Sequence, residues 1–230
     1  MSLLKNIFHV VALAHHLFSL FYIFCYLELP LELSKTKQIL GKIENFKYLT
    51  NWDVILQTLY FILCMICDVS SDPRTSGKCS RAKQLRELVL SSLVVPVSLF
   101  VGVTFWGLYI INRELVFPAA IDPYFPVWLN HMVHTNVVIF SMTELLTSYQ
   151  EYPPRSKGIR ICQIFTLTYI LWSCILQYYT GYWVYPILQV LNWPLRIAFF
   201  FTNVLTMSLL YIIGEKINYI RRPQTTTKKN

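Results

Sequence analysis

The chain has 230 residues, of which 55% are hydrophobic and 16% aromatic, while only 14% are charged, and its mean hydropathy is +0.45. A soluble domain is about one-quarter charged, so this composition argues against an ordinary soluble enzyme, a coiled coil and a disordered chain, and it indicates a membrane protein. The formal net charge of +8 is typical of lysines and arginines in cytoplasmic loops and gives no indication of nucleic-acid binding.

Six stretches of the sequence are long and apolar enough to cross a hydrocarbon core as helices, which takes about 20 residues. They are residues 6–27, 48–67, 88–111, 124–143, 161–179 and 197–213. The runs are continuous, whereas strands of a β-barrel alternate in polarity. The sequence therefore predicts an all-α polytopic membrane protein, with one six-helix domain over residues 1–222 and a disordered cytoplasmic tail over 223–230.

The distribution of positive charge predicts the orientation of this domain. Of the 20 lysines and arginines, 14 fall in the amino-terminal segment, the second loop, the fourth loop and the tail, all on one side of a six-span protein. Because cytoplasmic loops are enriched in these residues, both termini are predicted to be cytoplasmic. The membrane is expected to be the cell membrane or that of the endoplasmic reticulum.

Two of the spans carry polar residues at helical spacing. Thr50, Asp53 and Gln57 share one face of the second span. In the fourth span His131 and His134 share a face that Asn130 borders. Both spans start on the non-cytoplasmic side, so the two polar stripes are expected at similar depth in the outer half of the membrane.

Such a set of side chains suits nucleophilic catalysis. A threonine hydroxyl becomes a nucleophile when a base takes its proton, and neutral histidine is the usual base near pH 7. A carboxylate or an amide can then fix the tautomer of the imidazole ring, a role open to Asp53 or Asn130. Asn130 and Gln57 are also candidates for stabilising an oxyanion.

Each of these residues also has a purely structural interpretation. Thr50 and Asp53 fit a capping box at the start of a helix, and the two histidines could be hydrogen-bonded packing groups. His131-x-x-His134 could form half of a metal site, although no metal or cofactor is expected. Cys64 and Cys67 have the spacing of a thiol-redox pair at the opposite end of the second span.

Five blocks along the chain resemble the androgen-induced-gene and androgen-dependent TFPI-regulating protein family. They are F-K-Y-L-T (46–50), N-R-E-L-V-F-P (112–118), P-V-W-L-N-H-M-V-H-T (126–135), G-Y-W-V-Y-P (181–186) and Y-I-I-G-E-K-I-N (211–218). The block at 126–135 is the most specific of them.

The resemblance implies a six-span threonine hydrolase that cleaves fatty acid esters of hydroxy fatty acids, which are amphiphilic lipid esters. It also implies that Thr50 is the nucleophile and His134 the base. This chain has Ile139 where relatives often carry a proline, a difference that bears on the shape of the pocket. The alternative is a non-catalytic lipid-binding scaffold or small transporter. The sequence does not identify a protein partner.

Overall fold

The computed structural model describes residues 3–30, 34, 36–69, 81–148 and 150–221. Within these ranges the chain forms helices and connecting turns, and no residue lies in a strand. The α-helices are α1 (Leu3–Cys25), α2 (Lys37–Leu40), α3 (Leu49–Val69), α4 (Arg81–Val89), α5 (Val95–Asn112), α6 (Val127–His131), α7 (Val137–Thr147), α8 (Arg155–Thr180), α9 (Pro186–Val190) and α10 (Trp193–Ile220). The all-α prediction is confirmed for the described residues.

Five helical segments in the described ranges are long and apolar enough to cross a membrane, as expected of an integral membrane protein. They are Leu3–Cys25, Leu49–Val69, Arg81–Leu115, Arg155–Thr180 and Trp193–Ile220. The predicted fourth span is helical over 127–147 but is not among the five, because its first half carries several amide, imidazole and hydroxyl side chains. The count of six spans and the cytoplasmic termini stay predictions, and the predicted tail over 223–230 lies outside the described residues.

Two of the helical runs contain a π-helical turn. The first, Leu90–Val94, joins α4 to α5 and lies just before Pro96. A proline has no N–H to donate to the carbonyl four residues earlier, here that of Ser92, and this carbonyl instead accepts the thiol of Cys162 on α8 at 2.7 Å. The second π-helical turn, Met132–Asn136, joins α6 to α7.

The packing of the bundle brings the start of α3 against this second π-helical turn. The helix α1 packs along α3, while α5 packs against α7 and α10. One apolar cluster unites Ile23 of α1, Val54 of α3, Leu129 of α6 and Val133 of the π-helical turn, all fully or almost fully buried. The polar stripes predicted on the second and fourth spans therefore lie next to each other.

Candidate active site

Thr50 lies in the first turn of α3, which begins one residue earlier. Its hydroxyl oxygen is 3.1 Å from the Nε2 nitrogen of His134. Val54, one turn further along α3, packs in the same apolar cluster as Val133, the neighbour of His134. A capping residue precedes the first helical residue, so Thr50 is not the N-cap of α3, and its side chain faces another helix.

The backbone next to Thr50 is held by two tyrosines from the other side of the bundle. The N–H of Leu49 donates to the hydroxyl oxygen of Tyr169 at 3.1 Å and to that of Tyr185 at 3.0 Å. The first N–H groups of a helix have no partner within the helix, so these two hydroxyls satisfy an otherwise open donor. They also fix the position of the helix end that carries Thr50.

The segment before α3 is anchored by the buried ammonium group of Lys47. Its Nζ donates to Glu44 at 2.6 Å, to Thr36 at 2.7 Å and to Ser34 at 3.1 Å. Burial lowers the pKa of Lys47, while the Glu44 carboxylate acts in the opposite direction. All three N–H bonds of the ammonium group are thus used in holding the chain that leads into Thr50.

The ring of His134 is oriented by the preceding helical turn. Its Nδ1 nitrogen is 3.1 Å from the backbone carbonyl of Asn130 and 2.7 Å from the Oδ1 atom of the same residue. A carbonyl oxygen only accepts hydrogen bonds, so Nδ1 carries the proton. Nε2 is then the unprotonated nitrogen, and the hydroxyl of Thr50 donates to it.

Aromatic packing and close helix approach hold the imidazole plane. The ring of Phe105 on α5 stacks on His134 with centroids 3.5 Å apart and an interplanar angle of 10°. This approach requires Gly102, where a Cβ atom would lie 2.5 Å from the side chain of Val138 and 3.0 Å from the carbonyl of His134. The glycine thus lets α5 pack against the π-helical turn. Turns of this kind are often found at functional sites.

Thr50 and His134 both line a cavity of about 510 Å³, a size typical of small-molecule sites. Its wall is largely apolar and combines side chains from the start of α3, from α5, α8 and α10, and from the segments between them. The apolar lining residues include Phe100, Phe165 and Met207. Thr50 and His134 therefore face a largely apolar space.

The structure brings together three of the six predicted site residues, namely Thr50, His134 and Asn130. Asp53 and Gln57 are fully buried and bond to each other, with both carboxylate oxygens 3.2 Å from the Gln57 amide nitrogen. His131 is exposed and stacks on Trp106 with centroids 5.3 Å apart. None of these three lines the cavity, and every catalytic assignment stays a prediction.

A different group of residues offers metal-ligating atoms. The donor atoms of His9, Cys64 and Glu144 lie within 4.8 Å of one another, and all three residues are buried. Cys64 is fourteen residues beyond Thr50, or about 21 Å of helix, so this group is remote from the cavity.

Sequence reasoning did not identify Phe105 and Tyr169 as parts of the site, and it gave Tyr185 no catalytic role. Single aromatic residues in apolar spans are common, and their types alone give no signal of a role. Each acquires its place here only through packing between distant helices.

The chain is similar to several known proteins over most of its length. The FAR-17a/AIG1-like protein family model matches residues 4–219. The human androgen-induced gene 1 protein is 38% identical over 181 residues, which cover 76% of this chain and 76% of that protein. The human androgen-dependent TFPI-regulating protein is 30% identical over 196 residues, covering 83% and 85%, and that of Mesocricetus auratus is 34% identical over 177 residues, covering 75% of both chains. No solved structure matches the chain.

Proposed function

Since the chain belongs to the FAR-17a/AIG1-like protein family, we propose that it is an intramembrane threonine hydrolase that cleaves fatty acid esters of hydroxy fatty acids. The observation that carries this proposal is the 3.1 Å contact between the Thr50 hydroxyl and Nε2 of His134 at the wall of an apolar cavity. The substrate class follows from the family resemblance of the five sequence blocks. The apolar cavity wall supports a substrate with long hydrocarbon chains.

In the first half of the reaction, Nε2 of His134 takes the proton of the Thr50 hydroxyl as the threonine oxygen attacks the ester carbonyl carbon. The tetrahedral intermediate collapses when the bond between that carbon and the alcohol oxygen of the hydroxy fatty acid breaks. His134 returns its proton to this leaving oxygen. A hydroxy fatty acid departs and a threonyl ester of the fatty acid remains.

In the second half, water replaces the departed alcohol. His134 takes a proton from the water, whose oxygen attacks the carbonyl carbon of the threonyl ester. The bond to the Thr50 oxygen breaks, that oxygen regains a proton from His134, and the fatty acid is released. No cofactor enters either half of this scheme.

Asn130 and Phe105 support the histidine in both halves. The contacts of Nδ1 with Asn130 keep the tautomer in which Nε2 can accept a proton, as the third member of a catalytic triad does. The stacked ring of Phe105 limits rotation of the imidazole. The base His134 and the residue that orients it, Asn130, thus belong to the same helical run, while Phe105 supports the ring from α5.

We further infer that the helical run 127–147 crosses the membrane as the fourth of six spans, with both termini cytoplasmic. The distribution of lysine and arginine supports this orientation. It puts Thr50 near the non-cytoplasmic surface, where water needed for the second half-reaction is close. Labelling of single cysteines introduced into the loops by a membrane-impermeant reagent tests this topology.

The nucleophile assignment is tested with Thr50→Ala and Thr58→Ala expressed at matched levels in membranes. Thr58 lies two turns further along α3 and donates its hydroxyl to the carbonyl of Val54 at 2.7 Å, so its variant controls for loss of a threonine hydroxyl from the same helix. The measurement is release of fatty acid from a palmitic acid ester of a hydroxystearic acid. We expect Thr50→Ala to lose hydrolysis and labelling by a fluorophosphonate probe, and Thr58→Ala to retain both.

Normal hydrolysis by Thr50→Ala would overturn the nucleophile assignment. A wild-type protein that leaves the ester intact but purifies with a bound lipid would instead favour the lipid-binding scaffold or transporter.

A further inference from the structure

The hydroxyl of Tyr185 meets the amino-terminal end of α3 at the wall of the cavity. Tyr185 lies between α8 and α9 and, like Thr50, lines the cavity. Its oxygen accepts the N–H of Leu49, the residue before Thr50, at 3.0 Å, and the Thr50 side chain is among the groups that influence its pKa. The tyrosine therefore holds the backbone directly before the nucleophile and lies close to the Thr50 side chain.

The proton of this hydroxyl is not needed to hold the helix end. Towards Leu49 the tyrosine oxygen is only an acceptor. The neighbouring Tyr169 also accepts from Leu49 but uses its own proton on the carbonyl of Lys47, at 2.8 Å. The oxygens of Tyr169 and Tyr185 are 3.4 Å apart, at the long limit of a hydrogen bond. The proton of Tyr185 is thus free to point towards the Thr50 oxygen and the cavity.

A donor at this place has a direct use in ester cleavage. When the Thr50 oxygen attacks, the carbonyl oxygen of the ester becomes negatively charged while bonded to the same carbon as the attacking oxygen. A donor held at the backbone next to Thr50 is therefore close to the place where the oxyanion forms. Donors fixed in advance at this position are among the largest contributions to acyl-transfer catalysis.

We propose that Tyr185 is a catalytic residue that donates its hydroxyl hydrogen bond to the oxyanion formed on the ester carbonyl, an inference that rests on the proposed threonine hydrolase function. It replaces Asn130 and Gln57 as the donor, because neither of these two residues lines the cavity, whereas Tyr185 does.

The electrostatic setting agrees with a donor role. Burial raises the pKa of Tyr185 to about 12, so the phenol keeps its proton throughout the physiological pH range. The ring also approaches the amino-terminal end of α3, where the helix dipole favours negative charge. An oxyanion at this point is stabilised both by the phenol hydroxyl and by the helix dipole.

The experiment compares Tyr185→Phe with Tyr169→Phe in membranes that also carry wild type and Thr50→Ala. Both tyrosines accept the same Leu49 N–H, so the pair separates anchoring of the helix end from chemistry. For Tyr185→Phe we expect kcat to fall about 10²–10³-fold with KM changed less than about threefold, and fluorophosphonate labelling to slow in parallel. For Tyr169→Phe we expect a smaller loss of kcat, although it gives up one more hydrogen bond.

The outcomes distinguish this inference from the proposed function. If Thr50→Ala is inactive while Tyr185→Phe keeps kcat within about threefold of wild type, the oxyanion role is wrong and the threonine assignment stands. Equal losses of kcat from the two tyrosine variants, with equal falls in thermal midpoint, would assign Tyr185 to anchoring alone. Full activity of Thr50→Ala would overturn the proposed function itself.

Discussion

Two of the buried polar groups in the described part of the chain lie near opposite ends of α3. At its start, Thr50 and His134 form a neutral pair beside the cavity. At its end, His9 bridges two carboxylates, with Nδ1 2.6 Å from Asp68 and Nε2 3.0 Å from Glu144. We refer to His9, Asp68 and Glu144 as the charged cluster.

The difference between them lies in how completely each histidine is surrounded. Both ring nitrogens of His9 face carboxylates, and Lys5 and Tyr60 add further contacts to Glu144. None of these residues lines the 510 Å³ cavity. His134 instead has one nitrogen fixed by Asn130 and the other directed at a hydroxyl on the cavity wall. An ionisable group inside a span is costly. When both ring nitrogens of a histidine are paired with carboxylates, the group has a structural role. A histidine with one ring nitrogen directed at the cavity wall is instead accessible to a ligand.

The largest expected contrast is between His134→Ala and His9→Ala. Loss of the general base should lower hydrolysis about 10²–10⁴-fold with little change in thermal midpoint. His9→Ala should instead leave two carboxylates facing each other without their bridge, at a cost of about 3–5 kcal/mol in stability, while each folded molecule keeps its rate. Ester hydrolysis per amount of folded protein in the membrane, together with thermal midpoints in detergent, measures both effects.

His131→Ala is the matched control, since this histidine is three residues from His134 and stacks on Trp106 outside the cavity wall. We expect a partial loss of activity from altered packing. Inactivity equal to that of His134→Ala would reassign the base. A rate defect of the same size in His9→Ala would mean that the two groups act as one.

The long apolar helices and the proximity of Thr50 to His134 could be predicted because both leave local signals in the sequence. The predicted second span, 48–67, differs from α3 by one residue at its start and two at its end. Helical spacing assigned Thr50 and His134 to stripes of similar depth, and the family resemblance singled out the same two residues.

What the sequence could not indicate depends on contacts between distant helices. Asp53 has the right spacing and charge for a supporting role, but its rotamer pairs it with Gln57. Tyr185 is 135 residues beyond Thr50, and tyrosine is common at membrane interfaces. Its sequence position therefore gives no sign of a role, and only tertiary packing brings it to the site. The helical turn at Met132–Asn136 is likewise π-helical, which the sequence does not predict, and α7 continues through Ile139.

An intermediate effect is expected from Asn130→Ala. This variant tests how much of the rate depends on the orientation of the His134 ring by Asn130, a contact that differs from the complete pairing of His9. The variant removes the 2.7 Å contact to Nδ1 but keeps the backbone carbonyl at 3.1 Å. Loss of one buried hydrogen bond is worth about 1–3 kcal/mol, so we expect kcat to fall about tenfold to a hundredfold. Asn136→Ala is the control, because this amide lies in the same helical run and bonds to His15 of α1. Equal losses from both variants would show that helix packing, and not ring orientation, is being measured.

The smallest effect is expected where the site depends on shape alone. Gly102→Ala would bring a methyl group 2.5 Å from Val138 and 3.0 Å from the His134 carbonyl. Overpacking of this kind costs about 1–3 kcal/mol, and a shift of α5 should loosen the Phe105 stack and lower kcat severalfold. At Gly107 on the same helix an added Cβ meets no atom within 4 Å, so Gly107→Ala should change neither quantity.

The double variant Gly102→Ala/Val138→Ala isolates the cause of this loss. Removing the valine methyl groups makes room for the new methyl, so activity should return towards wild type if close packing of α5 sets the imidazole plane. Failure of the second substitution to restore the rate would mean that the glycine acts on His134 through its backbone carbonyl, and the stacked phenyl ring would then lose its assigned role in holding the base.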